Sequence, residues 1–170
     1  QPLARTDFLV APQLDGRRAE SRIFLAAPVT MEEIEEHHRE QMEEVVVVEW
    51  EASTESVRAV TRTCLGAITL RQQPLANPSP QQIALALGDA IAAQELRPLP
   101  WASGARRLQQ RLLFLRQLAP DVPDVSDAAL ILSVREWLAP HLQGLRRQSE
   151  VGRLNLEAIL SSIIPWRSEE

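Results

Sequence analysis

Arginine is the residue type with most to offer in this sequence. All 18 basic residues are arginine and none is lysine. A guanidinium keeps its charge and grips carboxylate or phosphate with a planar fork of donors. Three pairs have informative spacing. Arg58 and Arg62 stand four apart on a predicted strand and so share a face. Arg17 and Arg18 follow Asp15-Gly16 at a predicted hairpin tip. These four are the candidate phosphate contacts for a nucleic-acid strand, the structural alternative for each being a solvated surface arginine. Arg107 and Arg111 lie one helical turn apart, at the margin of an apolar stripe beside Phe114 and Leu118. Charges in that place must meet carboxylates, phosphates or water. Pairing with Asp124, Asp127 or Glu136 is the structural reading, and phosphate contact is the alternative. Trp50 could stack on a base, but it sits beside a run of valines that points to a core role.

Other reactive residues form no constellation. Cys64 lies in an apolar, strand-like run and reads as a buried structural thiol. A single cysteine excludes an internal disulfide framework and fits a reducing cytoplasm. His37 and His38 are adjacent, so on a helix they point in different directions and do not make a metal site. No GxxxxGK[ST], GxGxxG, HExxH, CxxC or GxSxG pattern occurs. From its residues alone, the chain reads as a binding or structural module without an active site. Net charge is −5, which argues against a general electrostatic grip on nucleic acid. All of that excess falls in residues 1–79, mostly in the run from Glu32 to Glu44. That run reads as a solvated acidic helix, or as a patch that meets a basic partner. No apolar run approaches the roughly 20 residues of a membrane span, and the first residues lack a signal-peptide layout.

These residues need elements to carry them. Residues 6–14 and 21–28 read as paired strands. In the second, Ile23 and Leu25 face one way and Phe24 the other, so the hairpin is expected to be covered on both sides. Thr30 and Glu33 fit a capping box that opens an acidic helix over about 30–42. Strands then follow at 45–50, 57–63 and 65–70, with Gly66 suggesting a bulge or bend within the last. Five short strands suit a small, partly closed antiparallel β-barrel of the oligonucleotide-binding type, or a compact sandwich. Pro74, Pro78 and Pro80 mark a change to helical periodicity, giving a β-barrel domain over 1–76 and a helical extension over 77–170. Ser79 and Pro80 open a helix with Ile83, Leu87 and Ile91 inward. The next runs to about Ala119, with Leu108, Leu112, Leu115 and Ala119 on one stripe that Phe114 and Leu118 widen. A helix so apolar should pack on more than one side, in the middle of its layer. Ser126 caps a third helix bearing Leu130, Val134, Trp137 and Leu138, which Pro140 ends or kinks. The fourth carries Leu156, Ile159, Leu160 and Ile163. The fold class is therefore α+β: the barrel, then an all-α layer of four helices.

Several runs together resemble one family. They include Leu14-Asp15-Gly16-Arg17, the 21–28 strand, Leu65-Gly66-Ala67, Leu99-Pro100-Trp101, Ala105-Arg106-Arg107-Leu108, the 124–130 run and Trp137-Leu138-Ala139-Pro140. In order and spacing they are similar to the C-terminal region of bacterial HrpB-type helicases, of the DEAH-box group of ATP-dependent RNA helicases. The resemblance implies that this chain is a fragment. Its ATPase domains, with their ATP and Mg, would lie elsewhere in the parent, so the fragment holds no cofactor and is inactive alone. Single-stranded RNA and the helicase core domains of the same polypeptide are then the expected partners, in the cytoplasm and away from membranes. The competing expectation is a docking module that does not touch RNA.

Overall fold

The computed structural model describes residues 6–14 and 23–164. Arg17 and Arg18 lie outside them. The β1 strand, Phe8–Leu14, pairs antiparallel with β2, Ile23–Val29. Phe8 stands opposite Val29 and Leu14 opposite Ile23, and the register slips between Val10 and Gln13. Pro12 sits in that slip, where a missing N–H costs the ladder nothing. The expected double covering of this hairpin is not found: Leu9, Val10, Ile23 and Leu25 are all exposed.

Thr30 opens α1, Met31–His38, with the expected capping box. Its Oγ1 accepts from the Glu33 N–H, and the Glu33 carboxylate accepts from the Thr30 N–H at 2.8 Å. Only Ile34 of this helix is buried. One tight turn over Arg39–Gln41 leads into β3, Met42–Glu51, followed by β4, Ser56–Leu65, and β5, Ile68–Pro74. Gly66, at φ +56°, makes the turn between β4 and β5 rather than a bulge inside a strand. A left-handed residue closes a tight hairpin turn, and glycine adopts that conformation without strain.

The α+β class and the antiparallel pairing stand; the barrel, even a partly closed one, is not formed among the described residues. Among the described residues the five strands form a two-stranded sheet, β1-β2, and a three-stranded sheet, β3-β4-β5. Closing a barrel needs one continuous ladder of hydrogen bonds around the circumference. Here α1 intervenes between β2 and β3, and no pairing bridges the two sheets.

Contacts divide the chain into two units, one of Gln1–Val45 and Thr61–Gln73, the other of Val46–Val60 and Pro74–Glu170. The second contains α2, Pro80–Ala93; α3, Ser103–Leu118; α4, Asp127–Leu132; α5, Val134–Trp137; α6, Gln148–Val151; and α7, Leu156–Ser162. Its core joins Val57 to Leu87, Ile91, Leu130, Leu142 and Leu160, all almost fully buried. Trp50 packs against this cluster, in keeping with a core role. Ser79 and Ser126 cap α2 and α4 as their sequences imply. The third helix is broken at Ser133, whose hydroxyl donates to the Ala129 carbonyl at 2.8 Å. A hydroxyl bonding back onto its own helix competes with the backbone ladder there. A tight turn over Ala139–Leu142 follows, with Pro140 in its first turn.

The α3 helix departs most from its expected setting. Ala105, Gln109 and Leu112 are buried, but Phe114, Leu115 and Leu118 are 61%, 47% and 72% exposed. It packs on α7, which is seven residues long against its own sixteen. At 1.5 Å per residue, α7 spans only about 10 Å, too little to cover the last turns of α3.

Candidate nucleic-acid interface

Among the arginines singled out by spacing, Arg58 and Arg62 lie on β4 but engage different neighbours. Arg58 is exposed and reaches the Glu51 carboxylate at 3.3 Å. Arg62 is half-buried, and its Nε donates to Gln72 Oε1 at 2.8 Å. The expected pairing of Arg107 and Arg111 with Asp124 or Asp127 is not made. Arg107 donates from Nε to the Ser103 carbonyl at 3.1 Å. Asp127 is instead held by Arg106, at 3.1 Å, and by Gln109 Nε2, at 2.8 Å. Adjacent helical residues differ in direction by about 100°, so only Arg106 of the pair can face Asp127. Its guanidinium also lies over the Trp101 ring, 3.7 Å from the centroid. Asp124 accepts from the Ser126 N–H at 2.9 Å. That bond, with the Ser126 hydroxyl and Arg116 nearby, holds its carboxyl below the usual range. Cys64 is half-buried rather than buried, with Thr69 Oγ1 at 3.9 Å. Among the described residues, no three possible ligands gather into a metal site.

The structure assembles a basic groove that spacing did not reveal. Arg146 and Arg147 follow Gly144, and this segment adds itself to the start of β4. Val57 N–H donates to the Arg146 carbonyl at 2.9 Å, and Gln148 N–H to the Glu55 carbonyl at 3.0 Å. Ser56 and Arg147 form an antiparallel bridge. The segment is pinned from below by Glu150, whose Oε2 accepts from the N–H of Arg146 at 2.9 Å and of Arg147 at 2.8 Å. Those two backbone bonds hold the Glu150 carboxyl below the usual carboxylate range. An open groove of about 540 Å³ results, lined by Arg58, Arg146, Arg147, Thr54, Ser56 and Glu51 among others. Three arginines and one acid, Glu51, line it, and Glu150 lies beneath the Arg146–Arg147 backbone. The hydroxyls of Thr54 and Ser56, 2.8 Å apart, supply further polar atoms. A surface of fixed charge with neighbouring hydroxyls suits a polyanion backbone better than a neutral ligand.

Comparison with known proteins finds similarity to one family of helicases. Residues 41–75 match the connector region of the ATP-dependent RNA helicase HrpB family. Over nearly its whole length the chain is similar to one part of HrpB-type helicases. HrpB of Escherichia coli strain K12 is 28% identical over 172 residues, covering 99% of this chain and 21% of the relative. Two crystal structures of E. coli HrpB, one described as a DExH-box NTPase and the other as a DEAH/RHA helicase, align with TM-scores of 0.52 and 0.53. Identities are 29% and 26%, over 96% of this chain and 21% of theirs. The chain thus spans about a fifth of the length of these relatives. The HrpB connector match takes in β3, β4 and β5, and with them Glu51, Thr54, Ser56 and Arg58. Arg146 and Arg147 come from beyond it. Among the described residues, no helix is long and apolar enough to cross a membrane.

Proposed function

We propose that this chain is an accessory, non-catalytic region of an ATP-dependent RNA helicase and helps to hold single-stranded RNA in the groove of Arg58, Arg146 and Arg147. ATP and Mg would act in the motor domains of the parent polypeptide, in the cytoplasm. The observation that carries this reading is the convergence of three arginines, from strand and loop, on one open groove. Phosphate contacts position a strand without reading its sequence, which fits a region that follows the motor rather than choosing its substrate. Arg62, Arg17 and Arg18 remain further candidates on the same chain.

The test is titration against a labelled single-stranded RNA at several salt concentrations. Three phosphate contacts give a log–log salt slope of about −2. Arg146→Ala and Arg147→Ala each weaken binding equally for all sequences and reduce the slope by about 0.7. Arg97→Ala, an exposed arginine paired with Glu95 elsewhere, leaves both unchanged. Absence of binding at low salt, or indifference to Arg146 and Arg147, overturns the reading. Either result would favour a docking role without RNA contact, which the net charge of −5 supports.

A further inference from the structure

The last turns of α3 present an apolar face with charge at its edge. Arg107, Arg111, Phe114, Leu115 and Leu118 run along one stripe, about 16 Å long at the helical rise. A shallow groove of about 450 Å³ follows it, lined by Arg107, Gln110, Arg111, Phe114 and Leu115. Two acids that follow α3 in the chain are already engaged, Asp127 with Arg106 and Asp124 with Arg116 and the Ser126 N–H; the Glu157 carboxylate lies against Gly104 in the first turn of the helix. Among the described residues, neither Arg107 nor Arg111 forms an ion pair.

Charge and shape select the occupant. A second copy of α3 would oppose like charges, because the helix carries Arg106, Arg107, Arg111 and Arg116 and no acid. The acidic α1 of another copy supplies carboxylates, but its Ile34 is buried and its outer positions are Glu and His. A nucleic-acid strand stacks its bases on aromatic planes; Phe114 is one, whereas Leu115 and Leu118 offer none. The complement is a helix with apolar residues at i, i+3 or i+4, and i+7, flanked by carboxylates. Because the chain spans about a fifth of its HrpB relatives, most of such a polypeptide lies outside it.

We propose that Phe114, Leu115 and Leu118 of α3 seat an acidic amphipathic helix from the remainder of the same helicase polypeptide, with its carboxylates against Arg107 and Arg111. This goes beyond the RNA-binding reading and shares with it only the helicase parentage. The test uses the full-length helicase with the photo-crosslinking residue p-benzoylphenylalanine in place of Leu118, irradiated, digested and mapped by mass spectrometry. The expected result is a crosslink to an acidic helical segment of the same polypeptide, lost when Arg107→Glu and Arg111→Glu are combined. The same crosslinker at Gln110, exposed on the same groove, gives a second reading from a different position. Crosslinks confined to RNA, to a second copy, to another protein or to residues 165–170 overturn the proposal. So does the absence of any crosslink, or one that survives charge reversal. Loss of RNA binding by Arg146→Ala does not move this result, so the two proposals fail separately.

Discussion

The two ends of α3 have the same apolar periodicity and opposite surroundings. From Ala105 to Leu112 the inward residues Ala105, Gln109 and Leu112 are buried, and polar groups there are tied to one another. Gln109 Nε2 donates to the Val125 carbonyl and to Asp127, both at 2.8 Å, while its Oε1 accepts from Arg106. Further along, Phe114, Leu115 and Leu118 stand exposed, and among the described residues Arg111 beside them forms no ion pair, while Arg116 reaches Asp124 at 3.9 Å. The first stretch is finished by its own neighbours; the second offers apolar area, and at Arg111 a charge, that no described residue complements. A hydrophobic stripe therefore says which side of a helix wants burial, while its neighbours decide whether burial happens here.

Substitutions along α3 test that contrast directly. The largest effect is expected at Leu112, where Leu112→Ala removes a buried side chain and should cost about 2–5 kcal/mol. In a chain of this length that lowers the melting temperature by roughly 2–4 °C per kcal/mol. Leu118→Ala, three-quarters exposed, should stay within about 0.5 kcal/mol. Equal losses at the two positions, read by thermal melting, would erase the distinction. Gln109→Ala comes next. It leaves the buried Val125 carbonyl without a donor, at about 1–3 kcal/mol. Arg106→Ala follows at about 1 kcal/mol, because its ion pair with Asp127 is partly exposed and its place over Trp101 and its hydrogen bond to Gln109 add modestly to that. If Arg107→Ala proved more costly than Arg106→Ala, the assignment of Asp127 to Arg106 would be wrong.

Local features were legible in the sequence because they depend on neighbours a few residues away. The capping box of Thr30 and Glu33, the caps at Ser79 and Ser126, and the inward spacing of Ile83, Leu87 and Ile91 all formed as their residues imply. What failed depends on contacts made across the fold. Five strands were foreseeable, but how they pair is a long-range matter, and they form two sheets instead of a barrel. Spacing marks Arg107, which borders the apolar stripe, whereas the position of Asp127 in the fold selects Arg106. The groove escaped notice because Arg58 and Arg146 are remote in sequence and meet only when the 146–148 segment pairs with β4. The Arg146-Arg147 pair after Gly144 was its only visible trace.

The smallest expected effect links that groove to pH. Glu150 is held below its ordinary value by the N–H groups of Arg146 and Arg147. A carboxyl whose folded-state value is lowered adds stability that is fully present above its unfolded value, about 4.3, and is lost as pH falls through the lower folded one. Acid should therefore loosen the Arg146–Arg147 segment before it unfolds the helices, and Glu150→Gln should remove that part of the acid sensitivity. At neutral pH the same variant keeps an oxygen acceptor but loses the charge. RNA binding should fall only slightly, since the removed carboxylate also repels phosphate. Melting curves of both proteins from neutral pH down to about 3.5, below the unfolded Glu value, decide the point. Parallel curves would mean that Glu150 does not hold the segment, and that the arginines reach the groove by β4 pairing alone.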